Sequence, residues 1–258
     1  MSYLFLTFLP LVFAAEPPVV LESVTASSRL DWTTMRVEAI GKSKVVSNSA
    51  DYSKAELRSM DMARKNLQNA VYSIELDSEV NYQHLLNRKD SISRNIESIA
   101  KRYEVSDVIY VNENVVESTV FLDMHELLRP YLIERSGVEG RVPTPKRSER
   151  SGIIIDARSL DFTPIVLPTI HTQSTEHWLS VDDFSSYTAQ SRFPFMYATD
   201  ATNPAVISKV GRNPALFMAD STSFDTLTVH SLDKPITESE RKAIMGNGRV
   251  VILLSNEP

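Results

Sequence analysis

"DYSKAELRSMDMARKNLQNAVYSIEL", residues 51–76, is the stretch on which the fold turns. Met60, Ala63, Leu67, Ala70 and Ile74 recur at spacings of three and four, which puts them on one face of a helix. Ser53, with Glu56 three residues on, reads as a capping box for the first orphan amides. Met60 and Met62 read as core packing rather than as a flexible binding face. A second helix follows in "DSISRNIESIAKRYEV" (90–105), capped by Asp90. Ile92, Ile96, Ile99 and Tyr103 form its apolar stripe, and Arg94, Lys101 and Arg102 point outward.

Strands flank this helical pair. Upstream, "SRLDWTTMRVEAIGKSKVV" (28–46) reads as one long strand, with Met35, Val37 and Ala39 alternating with Arg36, Glu38 and Ile40. Trp32 reads as a buried anchor. Downstream, "VSDVIYVNE" (105–113) and "VVESTVFLDM" (115–124) form a hairpin about Asn114, with Val116, Ser118, Val120 and Leu122 on one side. Strand, helix, helix, strand, strand predicts an α+β layer: an antiparallel sheet with two packed helices. A strand-rich second half follows, in "GIIIDA", "TPIVLPTI", "EHWLSV", "RFPFMYA", "PALFMAD", "DTLTVHSL" and "RVVILLS". The last of these is apolar on both faces, which marks a central strand. "TESERKAIMG" (237–246) is a short helix with a Thr237/Glu240 capping box. The predicted domains are therefore residues 20–135 and 151–258, joined by a loop at 136–150.

That join, within "RSGVEGRVPTPKRSER" (135–150), carries Arg141, Lys146, Arg147 and Arg150. Such a basic run on an acidic chain reads first as solvated; weak contact with an anionic surface, such as lipid headgroups or glycan-linked acids, is the other reading. The whole chain has 258 residues, 42% hydrophobic and 23% charged, with a net charge of −6. Such a balance is ill suited to gripping nucleic acid. With only 7 glycines and no G-x-G-x-x-G or G-x-x-x-x-G-K-[ST], a phosphate-cradling glycine loop is not expected. The absence of cysteine removes disulfides, thiolate metal sites and a thiol nucleophile. At the start, "MSYLFLTFLPLVFAAEPPVV" carries an apolar run from Tyr3 to Ala14, the length of a signal-peptide core and too short to span a bilayer. Export with cleavage near Ala14 is expected, to the periplasm or beyond, leaving no transmembrane segment.

No reactive constellation stands out, so no catalytic residue, metal or cofactor is expected. His84, His125, His171, His177 and His230 fit no close zinc spacing, although His171, Glu176 and His177 surround a hairpin turn. Asp182-Asp183 reads as a turn or helix start rather than an acid–base pair. The remaining candidate is Asp156 with Arg158 at the end of an apolar run. Two residues apart on a strand, they share a face, and the guanidinium keeps the carboxylate ionised and so a poor proton carrier. A structural ion pair is the expectation. Trp178, Phe193, Phe195 and Tyr197 alternate as a strand would place them, which suits either core packing or a stacking surface for glycan.

"IIIDARSLDFTPIVLP" (153–168) resembles a segment of exported bacterial proteins: an apolar triplet, Asp-Ala-Arg-Gly-Leu, then Pro-x-Leu-x-Pro. "VGRNPALFMA", "DTLTVHSLD" and "GRVVILLS" resemble that group's later strands in the same order, and "WTTMRVEAIGKSKV" with "MARKNLQNAVYSI" its earlier strand and helix. The chain is thus similar to the small outer-membrane lipoproteins of the LPP-twenty type and to the FlgP-like and FlgT-like flagellar envelope proteins. It departs from them at Ser159, where glycine is usual, in "HTQSTEHW", which lacks the usual Asp-x-x-Gly turn, and in having no lipidated cysteine. The resemblance implies a soluble, non-enzymatic envelope protein with a structural or assembly role, associated with protein partners, itself or the flagellar motor. The alternative is a periplasmic module that binds glycan or peptidoglycan.

Overall fold

The computed structural model describes residues 19–45, 51–146, 149–232 and 235–255. The expected leader at 1–14, Arg147, and the side chains of Glu176 and His177 lie outside that description. The fold is α+β, built on two sheets.

The first half runs β1 (Leu21–Thr25), β2 (Ser28–Asp31), β3 (Arg36–Lys44), α1 (Asp51–Tyr72), α2 (Tyr82–Asn87), α3 (Ser91–Ala100), β4 (Glu104–Asn112), β5 (Val115–Asp123) and α4 (Met124–Arg135). Its five strands are antiparallel throughout, in the order β1-β2-β3-β5-β4. The single strand expected from Ser28 onward is instead a hairpin, β2 and β3. Asp31 breaks it: its Oδ1 accepts from the amides of Thr33 and Thr34, both at 2.9 Å. Met35 then turns the chain through a left-handed conformation, φ 56°. Trp32, in that turn, is buried as expected, and its Nε1 donates to Glu22 at 2.8 Å.

Ala63, Leu67 and Ala70 face the sheet from α1, with Ile74 buried just beyond its end. Ser53 lies inside the helix, which already runs at Asp51, and so is not its cap. The helix comes unusually close to the sheet because small residues meet. A Cβ on Gly41 would stand 2.0 Å from the Ser59 carbonyl and 2.3 Å from the Ala63 amide nitrogen. Beside it the hydroxyls of Ser59 and Ser118 are hydrogen-bonded at 2.6 Å, and Asn66 Nδ2 donates to the Ile40 carbonyl at 2.8 Å. The β4–β5 hairpin forms as expected, with Val116, Ser118, Val120 and Leu122 all buried. Asp90 caps α3 by accepting from the Ser93 amide.

Two helices exceed the expected pair. α2 is capped by Asn81 and α4 by Asp123, through the amides of His84 and Glu126. Pro130 inside α4 disguises it in the sequence. Packing compensates for the hydrogen bond it removes, since Leu127, Leu128, Tyr131 and Leu132 are all buried.

The second half runs β6 (Ile153–Asp156), β7 (Thr169–Thr172), β8 (Thr175–Leu179), β9 (Phe195–Ala198), α5 (Pro204–Val210), β10 (Ala215–Thr222), β11 (Thr226–Ser231), α6 (Glu238–Gly246) and β12 (Val250–Leu253). Its strand order is β8-β7-β11-β10-β6-β12-β9. The core of this sheet, β10-β6-β12-β9, is parallel, and hairpins β10–β11 and β7–β8 extend it. β12 is buried on both faces between β6 and β9, as its composition requires. "TPIVLPTI" becomes a strand only from Thr169. Before that, Val166 and Leu167 donate to the carbonyls of Glu75 and Leu76 at 3.2 and 2.8 Å, tying the halves together. The Thr237/Glu240 capping box opens α6 as expected. α5 was hidden by its shortness, although Asn203, Pro204 and a positive-φ Gly211 delimit it.

One face of the parallel core packs on α5 through Ile154, Met196, Ala198, Val206, Val210, Val251 and Leu253. The other faces a larger core that runs without a break into the first half. Trp32 and Tyr197 meet edge-on within it, ring centroids 5.7 Å apart. The 136–150 loop lies on this body: Val138 bridges to Ser185, and Asn247 Nδ2 donates to the Pro143 carbonyl at 3.1 Å. No described helix is long and apolar enough to cross a membrane.

Candidate functional site

Asp156 ends β6, and Arg158 stands in the turn beyond it. The two are paired, but the turn rather than strand alternation brings them together. The Arg158 amide donates to Asp156 Oδ1 at 3.2 Å, and its guanidinium grips both oxygens, at 2.9 and 2.5 Å. These guanidinium bonds hold the Asp156 carboxyl below the usual carboxylate range. An acceptor-only carboxylate so engaged has no proton to give at neutral pH, so its chemistry is that of a clamp on the strand end.

The aromatic candidates separate. Phe195 and Tyr197 are in the core, the Tyr197 hydroxyl donating to the Ile165 carbonyl at 2.6 Å. Phe193 is buried with the His125 ring edge-on against it. Buried as they are, these three offer no open ring face and are not a stacking surface. Trp178 alone keeps a partly exposed ring, packed on Phe217 in a surface cleft of about 290 Å³. Among the described residues, no group of three or more His, Asp or Glu gathers as a metal site.

Sequence reading missed the network round Arg241. This buried guanidinium donates to both Glu238 oxygens at 2.7 Å, to the Trp178 carbonyl at 2.6 Å and to Asp183. Its hydrogen bonds hold the Glu238 carboxyl down to about 2. Asp183 does stand in a short 3-10 turn, as expected, yet its side chain also pins α6 to that turn. The Glu238–Arg241 spacing was a readable sign of half of this network.

The feature with most potential for interaction is β4. It is a nine-residue edge strand; α1 lies over β3 and β5 and touches β4 through Tyr110, whose ring meets Tyr52 edge-on and whose hydroxyl donates to Glu56. Val105, Ile109, Tyr110 and Val111 are 43–52% exposed along it. It carries neither lysine nor proline, the residues that commonly blunt an edge, and only two bulges interrupt its pairing with β5.

Residues 152–256 match the family model described as Treponema pallidum Tp0624, second domain. The matched region starts just before β6 and ends just after β12, so it encloses the second sheet and leaves the first outside. No curated protein matches the chain.

Proposed function

We propose that this chain is an exported, non-enzymatic envelope protein with a structural or assembly role, and that it joins a second copy of itself along β4. The carrying observation is that edge strand: a long outer row of backbone donors and acceptors flanked by exposed apolar side chains templates strand addition. Antiparallel β4–β4 pairing is self-complementary, as a two-fold interface requires. The signal-like N-terminus supports export, and the resemblance to lipoprotein and flagellar envelope proteins supports a place in the periplasm or at the outer membrane, with the flagellar motor as partner. Light scattering of the signal-cleaved chain is expected to give a dimer or larger, and Ile109→Lys with Val111→Lys a monomer with an unchanged melting temperature. A wild-type monomer at high micromolar concentration would overturn the self-pairing.

A glycan- or peptidoglycan-binding module is the second reading, now carried by the Trp178 cleft alone. Retention on peptidoglycan that Trp178→Ala abolishes would favour it.

A further inference from the structure

A second cleft, of about 470 Å³, opens where the 141–144 loop meets the 3-10 turn at Thr188–Gln190 and the end of α6. Its lining includes Arg141, Arg192 and Arg249 and no carboxylate. Among the described residues, none of the three has a carboxylate within ion-pair distance. That is unusual on a chain of net charge −6, where acidic partners outnumber cations.

Each guanidinium is held differently. Arg141 lies over the Tyr187 ring, 4.6 Å from its centroid, and donates to the Tyr187 hydroxyl, which orients its planar fork. Arg192 is exposed at the rim. Arg249 sits at the floor, where one Nη donates weakly to the Ser151 carbonyl at 3.3 Å. Its Nε is buried with no hydrogen-bond partner among the described residues. An orphaned donor of this kind is destabilising, the more so on a charged group. Burial and the facing Arg192 both weaken the hold of Arg249 on its proton.

Three guanidinium groups lining one carboxylate-free cleft call for a multiply charged acceptor with several oxygens. We propose that this cleft binds a phosphate monoester, held by the half-buried Arg249 together with Arg141 and Arg192. A carboxylate has two oxygens and a single charge and would leave at least one fork unmet. The cleft is larger than a phosphate ion, which leaves room for the group that carries it. It lies between the 141–144 loop and the second half, away from β4, and stands independently of pairing through that strand.

The test uses the signal-cleaved full chain. Calorimetric titration with glycerol 3-phosphate, and co-sedimentation with phosphatidic acid or phosphatidylcholine vesicles, separate a soluble ligand from a lipid headgroup. Saturable binding of glycerol 3-phosphate without preference between vesicles assigns a soluble ligand. Selective sedimentation with phosphatidic acid assigns a headgroup. In either case Arg249→Gln and, separately, the exposed Arg192→Gln are expected to weaken binding about tenfold or more. Absence of binding to both probes, or binding that Arg192→Gln and Arg249→Gln leave unchanged, would overturn the proposal. Arg192→Gln keeps the test decisive should Arg249→Gln impair folding.

Discussion

Lys209 shows what one placement can do to a side chain. Its ammonium donates to the Phe193 carbonyl at 2.7 Å, and burial, with Arg192 beyond, pushes its pKa from 10.5 to about 7. Between those values the unfolded chain holds a proton that the folded chain has lost. Unfolding therefore takes up a proton, and stability rises with pH across the window from about 7 to 10.5. His125, also lowered by burial, acts below its ordinary 6.5 and does not enter that window. Urea titrations at several pH values are expected to show this rise in the wild type and a flatter profile in Lys209→Met; parallel profiles would contradict it. At this scale the sequence is legible when partners are close in the chain. Asp156 and Arg158, two apart, were readable as a pair, whereas Arg141, Arg192 and Arg249 come from three distant segments and leave no local mark. Phe193, Phe195 and Tyr197 took the core-packing side of their two readings for a related reason: alternation says which side chains share a face, not whether another layer covers it.

The closest fit between elements is that of α1 on β3 and β5, and it rests on Gly41, Ser59, Ala63 and Ser118 being small. Gly41→Ala would drive a methyl into the α1 backbone, which has no rotamer by which to yield. A loss of about 3 kcal/mol or more in chemical denaturation is expected, at the upper end of overpacking costs. A loss below 1 kcal/mol would mean that the helix slides freely on the sheet. Elements with both a cap and a clear period could be read from sequence: α3 with Asp90, α6 with Thr237 and Glu240, the hairpin at Asn114. Those lacking one or the other could not. α2 and α5 are too short to show a period, Pro130 masks α4, and the break between β2 and β3 rests on the positive φ of Met35, a conformation for which methionine carries no signal.

The two halves, whose independence the sequence left open, share one core. Trp32 from the first abuts Tyr197 from the second, and the chain at Val166–Leu167 is hydrogen-bonded to Glu75 and Leu76. Calorimetry is accordingly expected to record a single transition, which Trp32→Ala, costing roughly 3–5 kcal/mol, shifts as a whole. Two separable transitions would show that the shared core is not cooperative. Local patterning cannot reveal this continuity, because an inward-facing apolar residue looks the same whichever half it meets. β12 carries a consequence of another kind. It is the last strand of its sheet in chain order, yet it is inserted between β6 and β9. Every strand it joins must wait for it with an open edge, so the nascent chain passes through a long interval in which wrong partners compete for those edges. A chaperone that holds the chain until translation has delivered β12 would matter more here than for a fold assembled in chain order, and a product broken off before β12 would advertise its own incompleteness to proteases.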